Sequence, residues 1–463
     1  LPIERPYRRL ASSVAFVPEV LGLIVVVAGE RYVVVLTMHP SLSRRRVTPP
    51  PSHHPELRHS YRSAEERQRR KAEKSLRDTA TEVPLPPTSQ EDPLVAVRQL
   101  GVEEELILVD SCGAPSAGSA QVLASCTTIA PDLEDVTLVQ EFFQAQVEIV
   151  TAPARLLEDI GTRLRRARSV LARAAGQTGL SPLAVGGPVV DAPNGPLVPS
   201  ERFERIGHTY AGVAADSLMC ALQVHVEVED RDEGIGVIDR VRPWAPLLLA
   251  ISTNSPFWHG RDTGFASWRF QVWNMWPSAG PKELFGDLAT YDAFTARMVT
   301  SGAVLDVGLL NLDVRLSARY PTVEFRVADV CTSVDDALVV AALCRALTET
   351  AARECRRGVA PAPWRVDQLR AGAWRAARFG LNDTLLSPLD GTPVPASAAL
   401  SALLRHTAPA LEDAGDLGFV TAALQRLAEV GTGADRQRAA FAQHGDVAAL
   451  VEQLGRWTVE GVE

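Results

Sequence analysis

The chain of 463 residues is long enough for one large domain or two moderate ones, and 46% hydrophobic with 22% charged residues mark it as mostly globular. A formal net charge of -9 excludes the basic balance of a nucleic-acid binder. The six cysteines (Cys112, Cys126, Cys220, Cys331, Cys344, Cys355) form no CxxC pair; this excludes a disulfide scaffold or zinc-type spacing and points to buried thiols of a reducing cytoplasm.

Near the N-terminus, Leu21 to Gly29 reads LGLIVVVAG, and Glu30 and Arg31 break the apolar run before Val33 to Leu36 resume it. A spanning helix needs roughly 20 uninterrupted apolar residues, so no membrane segment is expected. No clear small-residue cleavage site marks a signal peptide. Ser41 to Pro93 is basic and proline-rich and buries too little to order itself. Residues 1–93 are therefore expected to be a disordered leader or the product of an over-long start assignment. His53, His54 and His59 fall inside it and are not expected to bind metal.

From 94 to 463 a single domain is expected. Val102 to Val109 reads as a strand, as does Glu141 to Val150, which alternates from Phe143 onward. Leu156 to Ala175 is an amphipathic helix with arginines between its apolar positions. Leu183 to Val190 is strand-like, and Ala221 to Glu229 alternates strictly. Gly234 to Ser252 reads as one buried helix bent near Pro243 and Pro246. Thr322 to Val330 is a further strand, and Val334 to Cys355 a helix capped by Ser333. Peripheral helices follow at Ser397 to Thr407 and Asp416 to Val430. Without regular βαβ alternation, the pattern favours an α+β fold with an antiparallel sheet.

The two-residue period of a strand sorts the polar residues. Glu103 and Glu105 share one face of the first strand, while Glu104 points to the aliphatic side and needs a buried partner that the sequence does not name. Gln144, Gln146 and Glu148 share a face of the second strand. Gln223, His225, Glu227 and Glu229 do so in the third, and Thr322, Glu324 and Arg326 in the fourth. An ordinary solvated face carries lysine and mixed charges; these faces are dominated by Glu, Gln and His. Clustered carboxylates repel one another unless a cation lies among them. Magnesium combines protein carboxylates with substrate phosphates, and an imidazole also suits manganese. Arg326, two residues beyond Glu324, would bring a guanidinium to an oxyanion such as a phosphoryl group in transfer.

The segments GVEEELILVD, VEIVTAP, ALQVHVEV, ISTNSPFWHGRDTGFASWR and TVEFRVADV resemble the carboxylate–amine ligase family related to glutamate–cysteine ligase, in order from about Gln99 to Pro395. The resemblance implies a glutamine-synthetase-like fold, a curved and mainly antiparallel sheet forming a funnel flanked by helices. It also implies ATP-dependent joining of an amino-acid carboxylate to an amine such as cysteine. By motif, Glu103, Glu105, Glu148, His225 and Glu324 would hold Mg2+ or Mn2+, with Glu324 and Arg326 catalytic and Arg326 stabilising the phosphate in transfer. Gln223, Asn254 and Arg269 would bind substrate, and relatives make a homodimer plausible. Relatives often read HVHVGV where this chain has QVHVEV, so Gln223 replaces a possible ligand and Glu227 a glycine.

The expected chemistry is attack of an acid substrate's carboxylate on the γ-phosphorus of ATP, then displacement of phosphate by the amine. Neither GxSxG nor a P-loop occurs. Two other classes are a metal-dependent amide hydrolase, disfavoured because HExxH is absent, and a catalytically weakened homologue serving as a binding module. Of the block from Ile251 to Arg269, Pro256, Phe257 and Trp258 are candidates to wall the pocket. Trp268, Trp273 and Trp276 read as core.

Overall fold

The computed structural model describes residues 23–28, 31–36 and 97–461. The stretch from Ser41 to Pro93, with His53, His54 and His59, lies outside the described residues. The chain separates into two compact units, Leu1–Asp92 and Pro93–Glu463. In the first, β1 (Leu23–Ala28) pairs antiparallel with β2 (Arg31–Leu36), Val25 opposite Val34. Arg31, one of the two charged residues that break the apolar run, opens the second of these strands opposite Ala28, and Glu30 lies outside the described residues. No helix among the described residues is long and apolar enough to cross a membrane.

The second unit is built on β3 (Leu100–Val109), β4 (Val136–Gln140), β5 (Gln146–Thr151), β6 (Ser181–Leu183), β7 (Ala221–Glu227), β8 (Phe257–Trp258), β9 (Arg261–Asp262), β10 (Val314–Leu316) and β11 (Thr322–Asp329). Seven of these make one antiparallel sheet in the order β10-β11-β7-β3-β5-β4, with β6 pairing the end of β3. One face of this sheet is core. Val102, Leu106, Val147, Ile149, Leu222, Val224, Val226, Val323 and Phe325 are all buried on it. The helix Val334–Arg356 packs behind β7, β11 and β3 and starts at Ser333, whose hydroxyl accepts from the Asp336 amide at 3.2 Å. The result is the α+β, mainly antiparallel architecture expected from the sequence.

Several boundaries differ from the sequence expectation. The second strand begins at Gln146, because residues 141–145 form a turn; Gln144 leaves the sheet and donates to the Leu197 carbonyl at 2.9 Å. The neighbouring β4 gave only a weak pattern, being short and half-exposed. Of Leu183 to Val190, only Leu183 belongs to a strand. The expected bent helix is two helices, Arg231–Val241 and Ala245–Ser252. Proline lacks the N–H that would continue the first, and Pro246 occupies the opening turn of the second, where no N–H is needed. Beyond 430, two helices that were not expected, Gly433–His444 and Val447–Thr458, close the chain.

The β11 strand carries a bulge. Phe325 pairs with Val224 and Ala328 with Leu222, so β11 spends one residue more than β7 between these pairs. Bulges bend a strand and re-aim side chains, and are frequent beside active sites. This one sits at Arg326, whose amide bonds the Asp313 carbonyl at 2.9 Å.

Candidate active site

Over the polar face of the sheet lies a cleft of about 500 Å³. Its floor is supplied strand by strand: Glu103 and Glu105 from β3, Glu148 from β5, Gln223 and His225 from β7, Glu324 and Arg326 from β11. The alternation of each strand brings these residues to one side, and antiparallel pairing makes them neighbours. Glu103 is opposite Gln223, Glu105 opposite Glu148, and Glu324 opposite His225.

The β3–β5 side of the cleft is acidic. Like charges directly opposite in a sheet destabilise it, and Glu105 and Glu148 are such a pair. Glu141, at the turn leading into β5, joins them in the cleft lining. Burial pushes the Glu141 carboxyl up to about 7, helped by the charge of Glu105. Burial and the charges of Glu141, Glu103 and Glu105 raise Glu148 well above the usual range. Burial also raises Glu105, against the pull of Arg269 and Arg326.

The β10–β11 side is organised by guanidinium groups. Arg315, opposite Glu324 on β10, donates to both Glu324 oxygens at 2.8 and 3.1 Å. Arg326 bonds Glu324 as well. Burial opposes the charge on Glu324, yet Arg326, Arg315 and His225 hold its carboxyl at about 2. Burial also works against the charge of Arg326, but Glu324 outweighs it and raises that guanidinium above its ordinary value. Both Glu324 oxygens are thus committed to arginines. As placed, this carboxylate, expected from the sequence to hold a metal, clamps Arg315 and Arg326.

Between the two sides stands His225. Its Nδ1 is 2.9 Å from the Thr322 hydroxyl, while Nε2 is 3.3 Å from Glu103 and 4.0 Å from Glu324. Among the described residues, no group of three or more His, Cys, Asp or Glu side chains is already arranged to hold a metal ion. In kind and charge the residues nevertheless fit a divalent cation. Glu105, Glu141 and Glu148 are crowded carboxylates with raised affinity for protons, and Nε2 of His225 faces two further carboxylates. Hard cations favour such oxygen-rich sets.

Of the three residues expected to bind substrate, Gln223 and Arg269 line the cleft and Asn254 does not, and all three make hydrogen bonds within the protein. Asn254 is 1% exposed and absent from the cleft lining. Its amide donates to the Ala184 and Val330 carbonyls, and its oxygen accepts from Thr332 and Gln437. Gly433 lies so close to it that a methyl group there would overlap. Arg269 reaches the cleft, but its guanidinium bonds the carbonyls of Val327 and Arg326 at 3.3 and 3.2 Å and lies 3.6 Å from buried Asp329; it props the bulge of β11. Gln223 is 4% exposed and bonded to Glu105 and Arg326.

The NSPFW block is likewise scaffold. Phe257 packs on Phe441, and Trp258 fills the space left by Gly187. Asp262 pairs with Arg438. Conversely, Trp273 and Trp276, which read as core, line the cleft while being mostly buried, with Arg269 and Arg326 each 5.3 Å from the Trp273 ring. Glu227 closes a strand end, accepting from the Gln99 amide at 2.9 Å with Arg155 3.6 Å away.

Sequence reasoning missed Glu141 and Arg315. Glu141 precedes a turn, where strand alternation says nothing. Arg315 lies in a three-residue strand too short to show a period. Its one signal was proximity in sequence to TVEFRV, as the first arm of a hairpin with β11.

The sequence profile of glutamate-cysteine ligase family 2 matches residues 99–453. The chain belongs to that family. The match runs past Pro395, so the C-terminal helices are part of the family's domain. A protein of Streptomyces coelicolor named "Putative glutamate--cysteine ligase 2" is 44% identical over 367 residues, covering 78% of this chain and 99% of the relative. A Streptomyces avermitilis protein named "Putative glutamate--cysteine ligase 2-1" is 42% identical over 364 residues, with the same coverage of each chain. Among solved structures, a bifunctional glutathione synthetase from Pasteurella multocida shares the fold with a TM-score of 0.61 at 15% identity, covering 80% of this chain and 53% of that one. This chain therefore spans about half of that enzyme. Glutamate–cysteine ligase from Francisella tularensis, solved in complex with AMP, gives a TM-score of 0.58 at 12% identity, covering 79% of this chain and 89% of that one. By family, this protein is a ligase.

Proposed function

We propose that this protein is an ATP-dependent carboxylate–amine ligase whose acid substrate is glutamate or a close analogue and whose amine is cysteine or another amino acid. The observation that carries the reading is the division of one cleft into an acidic half, Glu103, Glu105, Glu141 and Glu148, and a guanidinium half, Arg315 and Arg326. Phosphoryl transfer from ATP calls for both: charge that positions cations against phosphates, and positive charge beside the group in transfer.

In this reading Glu103, Glu105, Glu141, Glu148 and His225 would hold Mg2+ or Mn2+, which supply charge neutralisation for the triphosphate. Thr322 fixes the imidazole of His225 so that Nε2 faces the cleft. Arg326 offsets the negative charge on the γ-phosphoryl group as a substrate carboxylate oxygen bonds to phosphorus and the bridging bond to ADP breaks. Glu324 and Arg315 keep Arg326 from swinging away. The amine nitrogen then bonds to the activated acyl carbon and phosphate leaves, so no protein nucleophile is required. The six unpaired cysteines, four of them buried, suit a cytoplasmic setting. A homodimer, as the family resemblance implies, belongs to the same reading.

The test is to incubate the protein with ATP, magnesium and a panel of acids and amines, and to measure ADP and phosphate. The expected result is ADP release that requires an acid and an amine together. Cleavage of an amide without ATP would overturn the reading in favour of a hydrolase.

A further inference from the structure

A continuous line of side-chain hydrogen bonds crosses four strands at the cleft floor. Glu105 on β3 accepts from the Gln223 amide nitrogen at 3.0 Å, and from the Ala221 backbone N–H at 2.9 Å through its other oxygen. The Gln223 oxygen accepts from Arg326 on β11. Arg326 also donates to Glu324, whose two oxygens accept from Arg315 on β10. The sequence is carboxylate, amide, guanidinium, carboxylate, guanidinium. Gln223 is the one neutral group in it, and it is 4% exposed.

We propose that Gln223 is a positioning residue that keeps Arg326 apart from Glu105. The two charges attract, and each lies in the field of the other. Were they in contact, Arg326, already bonded to Glu324, would be drawn toward the acidic side and away from the position in which it faces a phosphoryl group, and Glu105 would have an oxygen committed to the guanidinium in place of a cation. A primary amide prevents this because it presents a donor at one end and an acceptor at the other. Its NH2 satisfies the carboxylate and its oxygen satisfies the guanidinium, while the side chain occupies the space between them. A carboxylate at 223 would lack the donor for Glu105, and a lysine the acceptor for Arg326. A thioether of the same length satisfies neither. The side chain acts through Arg326 and Glu105 and makes no demand on substrate, which accounts for a glutamine at a position first read as substrate-binding.

The proposal rests on the ligase reading, and the experiment separates the two. Gln223→Met and Gln223→Glu are compared with wild type in the ADP-release assay, with thermal unfolding as a check that each variant folds. The expected result is a fall in kcat of about 10- to 100-fold, the scale of a misplaced catalytic group, with the KM values for ATP and the acid within about threefold of wild type. In an Arg326→Met background the Gln223→Met change should cost less than about twofold more, because the residue through which it acts is gone. An equal loss in both backgrounds, or a raised KM for the acid with kcat unchanged, would overturn the proposal. A crystal structure of Gln223→Met provides the readout that needs no turnover. It should show the Arg326 guanidinium within hydrogen-bond distance of Glu105, and the wild-type separation in that variant would sink the idea. If wild type releases no ADP with any acid and amine, the ligase reading fails while the structural result still decides the role of Gln223.

Discussion

Arg168 and Glu104 form a two-pronged ion pair in the core, Nε to Oε2 at 2.9 Å and Nη2 to Oε1 at 2.8 Å, with neither side chain exposed. This is the partner that the third glutamate of GVEEEL requires. Arg168 comes from the helix Leu157–Gln177. It also donates to the carbonyls of Cys331 and Thr332, just after β11, and of Thr458 at the end of the last helix. One guanidinium thus ties together the strand carrying Glu103 and Glu105, the exit of the strand carrying Glu324 and Arg326, and the C-terminus.

Removing one partner of a buried pair leaves an uncompensated charge, so Arg168→Met should cost about 3–5 kcal/mol of stability, read by urea denaturation. The double variant Arg168→Met, Glu104→Leu should recover only part of this. An isolated buried pair can often be replaced by apolar groups without loss, but here three backbone carbonyls would also lose their donor. Full recovery in the double variant would show that the carbonyl bonds contribute nothing.

Glu105 and Glu148 face each other across β3 and β5, and burial first, then the charges of Glu141, Glu103 and Glu105, raises the Glu148 carboxyl. Glu148→Gln should stabilise the metal-free protein by about 0.5–1 kcal/mol and cut turnover more than about tenfold, at least the loss seen when a metal's supporting residues are removed. The thermal upshift that magnesium gives wild type should shrink in the variant. A metal-free Tm below that of wild type would contradict the electrostatic account.

Asn254 uses all of its hydrogen-bonding capacity inside the core. Asn254→Ala should cost about 3 kcal/mol or more, because several buried backbone and side-chain groups lose their partner. Kinetics on the folded fraction should show KM values within about twofold of wild type. A large rise in KM with intact stability would restore the substrate-binding assignment.

His406 stacks on Trp244, ring centroids 4.1 Å apart and planes within 8°. Burial lowers its imidazole to about 4 from an ordinary value near 6.5. Between about pH 6.5 and 4 the unfolded chain binds a proton that the folded protein refuses, so stability falls as pH falls through that window. His406→Phe keeps a ring on Trp244 and removes the titration. Between pH 7.5 and 4.5 the variant should lose about 2 kcal/mol less than wild type in urea denaturation. Equal losses would place the acid sensitivity elsewhere.

Alternation along β3, β7 and β11 determined by itself that Glu103 and Glu105, Gln223 and His225, and Glu324 and Arg326 each share a face of their strand; that these faces line one cleft, and that Glu227 does not, was decided by strand pairing. A strand's period is a property of local backbone geometry, so it is written in the sequence of each strand. The apolar faces, the antiparallel class and the Ser333 cap were legible for the same reason. What the sequence left open depends on which segments meet. Arg168 finds Glu104 across 64 positions, and Arg315 finds Glu324 only because β10 and β11 form a hairpin. The bulge at Arg326 is a mismatch between two strands, absent from either one alone. Tertiary packing also decided that Asn254, Arg269 and Gln223 spend their hydrogen bonds within the protein. A polar side chain shows its type in the sequence, but its partner is set by distances that only the folded chain establishes.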